Sequence, residues 1–215
     1  MSSDIDQPVF NVMNKFNIST TASRPDFAAI AAWIKPCSKV LDLGCGDGSL
    51  LHFLRDTRDA RGYGVEIDDA NILACFNNGV NVIQSDLESG LLSFESGSFD
   101  YVVLSQTLQA VKNTENIVKE MLRVSKEGIV SFPNFGYWKN RLQVVSGHMP
   151  VSETLPYQWF DTPNIHNCTL GDFEEFCRQH GARILERRVM NKDHQITFLP
   201  NLMGMLAFYR FEKQK

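Results

Sequence analysis

The chain has 215 residues, 43% of them hydrophobic, and a formal net charge of -4. That length and apolar content suffice to bury the core of one ordinary domain, while the acidic balance and the scattered Lys and Arg give no long-range attraction to a phosphate backbone. No apolar run approaches the roughly 20 residues that span a bilayer, and the polar, acidic opening residues have no apolar stretch behind a basic start, so nucleic acid and membrane are not expected as partners and a soluble, cytoplasmic protein is.

Residues 1–22 are rich in Ser, Asn, Asp and Thr and read as a loosely held arm. The remainder, 23–215, reads as one domain. Pro25 stands where a first helical turn tolerates it, and Phe27, Ile30, Ala31 and Ile34 mark one helical face. Short apolar runs then follow at 39–43, 63–67, 80–84, 99–104 and 128–132, each bounded by Gly, Asp or Asn. Between them lie helical patterns with apolar faces at Leu50, Leu51 and Leu54, at Ile72, Leu73 and Phe76, and at Ile117, Val118, Met121 and Leu122. Apolar strands alternating with amphipathic helices predict an α/β fold whose parallel sheet is covered on both faces. Residues 133–168 show no lasting period but hold several aromatics, four prolines and two histidines, the composition of a lid. Thr169 then caps a helix with Leu170, Phe173, Phe176 and Cys177 inward, ending at Gly181. The runs 182–190 and 204–211 predict two final strands forming a hairpin at the sheet edge. The five cysteines are odd in number with no C-x-x-C pair, and His52, His148, His180 and His194 share no ligand spacing, so neither disulfides nor a metal site is expected.

The first strand runs into Asp42-Leu43-Gly44-Cys45-Gly46-Asp47-Gly48. Its glycines allow a sharp turn and close approach to a ligand. The spacing is G-x-G-x-G rather than the G-x-G-x-x-G of dinucleotide sites, since Ser49 holds the third position. Asp42 would repel a pyrophosphate and attract an ammonium, so a zwitterionic nucleoside without phosphate fits better. Glu66, at the end of the second strand, is placed to accept from ribose hydroxyls, and Asp86, after the third, from an adenine amino group.

With these residues in place, the chain resembles the S-adenosylmethionine-dependent methyltransferase superfamily. The resemblance implies a Rossmann-like, seven-stranded, mostly parallel sheet with an antiparallel last strand. It implies S-adenosylmethionine, or its product S-adenosylhomocysteine, as ligand: Asp42, Gly44, Cys45 and Gly46 on the methionine end, Glu66 on the ribose, Ile67 on the adenine face, Asp86 and Leu87 on the adenine edge, and Gln106 near the methionine moiety. A closer resemblance covers 24–211. The runs Val40 to Gly48, Ser131-Phe132-Pro133-Asn134-Phe135-Gly136 and Trp159-Phe160-Asp161-Thr162-Pro163-Asn164-Ile165-His166 resemble the MetW family of methionine biosynthesis. Membership implies a link to MetX, the homoserine O-acyltransferase, in a bacterial cytoplasm.

Methyl transfer asks a protein chiefly to align the acceptor and exclude water. The fourth strand ends Leu104-Ser105-Gln106-Thr107 and lacks the Asn/Asp-Pro-Pro-aromatic motif of many amino-group methyltransferases, which disfavours amide or adenine acceptors. Acceptor contacts are sought in the lid at Asn134, Tyr137, Tyr157, Trp159, Asp161 and His166, with His166, Tyr157 and Asn134 as catalytic candidates. For His166 two roles stay open, a base of near-neutral pKa or a histidine bonded within a turn. Two functions also stay open: an enzyme on a small molecule or a protein carboxylate, and a non-catalytic partner that reports cofactor level to the acyltransferase.

Overall fold

The structure is a computed structural model that describes residues 24–214; the predicted arm lies outside the described residues. Eight strands form one sheet: β1 (Lys39–Leu43), β2 (Arg61–Glu66), β3 (Val82–Gln84), β4 (Phe99–Ser105), β5 (Ser125–Pro133), β6 (Ala182–Asn191), β7 (His194–Gln195) and β8 (Leu206–Lys213). Their order is β3-β2-β1-β4-β5-β8-β6-β7. The first five are parallel, and β8 runs antiparallel to both its neighbours. The expected seven-stranded, Rossmann-like α/β sheet with an antiparallel last strand is therefore present, with the two-residue β7 added at the edge. The last two long strands do pair, but not as an edge hairpin: β8 is inserted between β5 and β6. Phe208, Tyr209 and Phe211 explain the placement, since all three are fully buried and only an inner strand covers both of its faces.

Helices α1 (Pro25–Ala31), α2 (Ser49–Arg58) and α3 (Asp69–Asn77) cover one face, and α4 (Thr114–Val124) and α6 (Leu170–Gln179) cover the other. Side-chain caps fix where several of them start. Asp68 accepts from Asn71 N, Asn113 from Asn116 N, and Thr169 exchanges bonds with Asp172 in a capping box. The inward faces of α2 and α4 are as expected. That of α3 is not: Asn71 and Cys75 are buried while Leu73 and Phe76 are 62% and 63% exposed. The reason is local, because the Asp68 cap fixes the helix phase and the Cys75 thiol bonds to Gly46 O.

The lid contains helix α5 (Trp138–Val145), which the sequence pattern hides. Its outward residues Leu142, Val144 and Val145 are exposed and its one buried residue is Asn140, so no apolar stripe marks it. The short helix α7 (Pro200–Met203) precedes β8. Asn134 ties these parts together. Its Nδ2 donates to Asn201 O and Gly204 O, and its Oδ1 accepts from Gly136 N.

Candidate functional site

The parallel strands β1, β2 and β4 bring their carboxyl ends to one edge, the place where open α/β sheets bind ligands. There the chain leaves β1 through Gly44, Gly46 and Gly48, with φ of 66°, 56° and 76°. Gly44 N and Cys45 N donate to Val65 O at 2.8 and 3.2 Å, which anchors the loop to β2. A Cβ on Gly44 would meet Thr107 at 2.9 Å, whereas one on Gly46 would meet nothing within 4 Å. The Cα of Gly46 thus faces open space, while its N–H and C=O are bonded to Glu66 and Cys75.

The three acids differ in environment. Asp42 is 2% exposed, and no hydrogen bond reaches its carboxylate from the described residues. Burial, and secondarily the charge of Glu66, push its pKa from 3.8 up to about 8. Glu66 is equally buried but well bonded. Its Oε2 accepts from Gly46 N at 2.8 Å, and its Oε1 from Ile67 N and Asp68 N at 2.8 and 3.0 Å. It therefore stitches the glycine loop to the turn after β2, and Oε2 keeps capacity for one more donor. Asp86 is exposed and its Oδ1 caps Glu88 N at 2.9 Å, which starts the single turn Leu87–Ser89. The other oxygen stays available at the sheet edge.

Of the remaining predicted cofactor residues, Ile67 is half-buried in the turn after β2 and Leu87 packs against the core. Gln106 follows β4 at φ 53°, a left-handed conformation costing a non-glycine residue about 1–3 kcal/mol and found at functional sites. Bonds from Gln106 N to Ser131 O and Oγ hold it there. Cys45 turns its side chain away from the open face of Gly46, into the core, with its Sγ 3.7 Å from that of Cys75. Only its backbone belongs to the loop surface. Sequence reasoning missed Thr107 and Cys75, which touch the glycine loop from elsewhere in the chain, and Ser131, which holds Gln106. No motif spacing signals such partners.

The lid candidates do not converge. Asn134 is fully buried with its amide engaged as described above, so it presents no polar group to an acceptor. Tyr137 is buried and stacks edge-on against Trp138. Tyr157 lines a small pocket of about 40 Å³ with Trp159; burial, then Asp161, push its phenol up. Asp161 accepts from Gln158 N within its own turn. Trp159 and Phe160 stack edge to face while 72% and 71% exposed. His166 is exposed and its Nε2–H donates to Lys112 O at 3.2 Å, which leaves Nδ1 as the nitrogen with the lone pair. It lines a cavity of about 430 Å³ beside the loop after β4. Among the described residues no helix is long and apolar enough to cross a membrane, and no three His, Cys, Asp or Glu side chains group as metal ligands.

This geometry has relatives. The chain is 40% identical over 164 residues to the bifunctional methionine biosynthesis protein MetXA/MetW of Rhodopirellula baltica, with 72% of this chain covered and 26% of that protein. It is 32% identical over 102 residues to a demethylmenaquinone methyltransferase of Bacillus cereus, covering 44% and 43%. The chain thus spans about a quarter and under half of these curated relatives. Among solved structures, an S-adenosylmethionine-dependent methyltransferase from Mesorhizobium loti superposes with TM-score 0.67 at 17% identity, covering 88% of this chain and 98% of that one. One from Archaeoglobus fulgidus gives 0.62 at 16%, covering 88% and 91%. These likenesses establish the methyltransferase fold. Residues 24–211 match the family described as methionine biosynthesis protein MetW, and the chain belongs to that family.

Proposed function

We propose that the chain binds S-adenosylmethionine over the carboxyl ends of β1, β2 and β4 and acts as a methyltransferase-like protein in methionine biosynthesis together with MetX, the homoserine O-acyltransferase. The observation that carries this reading is the buried carboxylate of Asp42, which lacks a hydrogen-bond partner among the described residues. A cationic amino group repairs it, whereas a dinucleotide pyrophosphate would add negative charge beside it. The open Cα side of Gly46 allows the close approach. In this reading Asp42 and the loop Gly44–Gly46 hold the amino-acid end, Glu66 the ribose through Oε2, Ile67 the adenine face, and Asp86 with Leu87 its edge; Gln106 borders the methionine moiety. The bound sulfonium supplies an activated methyl group. The chain's part is to orient the acceptor and exclude water, and His166, with its lone pair on Nδ1, is the base this reading assigns where an acceptor arrives protonated.

A thermal-shift comparison tests the ligand. Saturation at about a hundredfold over Kd stabilises a fold by roughly 2.7 kcal/mol, so S-adenosylmethionine or S-adenosylhomocysteine raises Tm and NAD does not. Stabilisation by NAD alone overturns the assignment. Glu66→Ala is expected to weaken cofactor binding by about 1.5–3 kcal/mol, the range for hydrogen bonds to a charged group, and to lower Tm because three backbone donors lose their acceptor. Unchanged affinity in calorimetry removes Glu66 from the site.

A second reading, a cofactor-dependent partner of the acyltransferase, draws on the fused MetXA/MetW relative and on the exposed Trp159 and Phe160, since aromatics are enriched at interface centres. Coupling between cofactor and partner must be reciprocal. Cofactor affinity is therefore expected to rise about 5- to 150-fold in the presence of the acyltransferase and to lose that gain with Trp159→Ala. Equal affinities with and without the acyltransferase leave the enzyme reading alone.

A further inference from the structure

The 430 Å³ cavity lies between the loop after β4, the first turns of α4 and α6, the end of β5 and the returning lid. Its size is within the roughly 300–1,000 Å³ of small-molecule sites. None of Asp42, Gly44, Gly46 or Glu66 lines it. Its floor is apolar, made by the buried side chains of Leu108, Phe132, Leu155 and Phe173.

The rim carries both signs of charge, from Lys112 on one hand and Glu115 and Asp172 on the other. Glu115 pairs with Lys119 at 2.5 Å and lies 3.5 Å from His180 Nδ1, and Asp172 accepts from the N and Oγ1 of Thr169. Lys112 Nζ has no ion pair among the described residues. Two further lining residues hold buried polar atoms without a partner, Gln109 Oε1 and Thr114 Oγ1. An unpaired buried polar atom is costly and asks for an explanation. Gln109 Nε2 donates to Gln106 O at 2.7 Å, so Oε1 is fixed as an acceptor. Asn113 Oδ1 accepts from Asn116 N, which leaves its amide donors unused among the described residues. The rim therefore offers donors at Lys112 and Asn113, a hydroxyl at Thr114 that can donate or accept, and acceptors at Gln109, His166 Nδ1, Glu115 and Asp172, above an apolar floor.

We propose that this cavity binds a zwitterionic α-amino acid with an apolar side chain, its carboxylate on the donors, its ammonium on the acceptors and its side chain against Phe132 and Phe173. A simple fatty acid leaves Gln109 Oε1 unpaired, and an alkylamine leaves Lys112 without an anion, since the Thr114 hydroxyl can accept from an ammonium. The Cys168 thiol at the wall does not compete as an anion, because burial pushes its pKa to about 12.

Calorimetric titration of the full chain with norleucine, without cofactor, tests the proposal. Hexanoate and pentylamine keep the tail and lose one half of the head each; both are expected to bind at least tenfold more weakly than norleucine. Alanine, shorter by three methylenes, is expected to bind about fiftyfold more weakly. Lys112→Ala changes an exposed residue, so Tm is expected to hold while affinity for norleucine and hexanoate falls about tenfold and that for pentylamine stays the same. No saturable heat with norleucine, hexanoate or pentylamine binding as tightly as norleucine, or norleucine binding indifferent to Lys112→Ala each overturns the proposal. S-adenosylmethionine affinity is measured in a separate titration, and its absence strikes the cofactor reading without touching this one.

Discussion

Asp42→Asn is expected to make the ligand-free protein more stable at pH 8 and to abolish S-adenosylmethionine binding in the same step. Burial raises the folded-state pKa of Asp42 from 3.8 to about 8. A carboxyl shifted in that direction contributes stability that is fully present below the unfolded value near pH 4 and is lost as pH rises through about 8. At pH 8 the ionised group burdens the fold, and an amide of the same shape removes the burden. For a protein of this size each kcal/mol relieved raises Tm by about 2–4 °C. Melting both forms at pH 5, 7 and 8.5 checks the sign: the wild type loses stability toward high pH through this group, and the variant does not. Binding of a cationic amino group requires the ionised carboxylate, so calorimetry in buffers of different ionisation heat is expected to show proton release below about pH 8. A variant that melts lower than wild type at pH 8.5 means that Asp42 is paired within the fold.

Gly64→Ala is expected to disable the site from behind. Gly64 stands in β2 opposite Asp42, and a Cβ there would lie 2.2 Å from Cys45 Sγ and 2.9 Å from Cys45 Cβ. Overpacking of this kind costs about 1–3 kcal/mol of stability. The displaced residue belongs to the glycine loop, so cofactor affinity falls with it, by an expected tenfold or more. Cys45→Ala deletes the nearer of the two colliding atoms. The double variant Cys45→Ala/Gly64→Ala should therefore recover much of the lost stability and affinity, a coupling that a double-mutant cycle reads directly. Additive losses in the cycle place the strain somewhere other than Cys45.

The parts of this protein that were legible in its sequence are those whose cause is local. The glycine loop, the acids at strand ends and the helix starting at Thr169 each depend on residues within a few positions of one another, and the structure places them at the sheet edge or cap as expected. Helix α5 was hidden because its apolar residues face outward, which removes the period that a core-facing helix displays. The reversed face of α3 has a similar origin, since the Cys75 thiol reaches Gly46 O from 29 residues away. Asn134 read as an acceptor contact because a polar residue in an aromatic loop suggests chemistry. Its partners Asn201 and Gly204, 67 and 70 residues further on, show the amide instead to be a fastening of the lid's base.

The insertion of β8 between β5 and β6 also sets an order of assembly. β1 to β5 can pair among themselves as they are made, but β6 has only the two-residue β7 beside it until residues 206–213 arrive. A nascent chain that has reached Met205 therefore carries two edges that the finished sheet closes, one on β5 and one on β6, each a template for another chain. The interval before the final strand docks is when this protein is most exposed to aggregation. A chain ending between Gln195 and Leu206 would leave β6 almost without a partner rather than merely shorten the sheet by one strand.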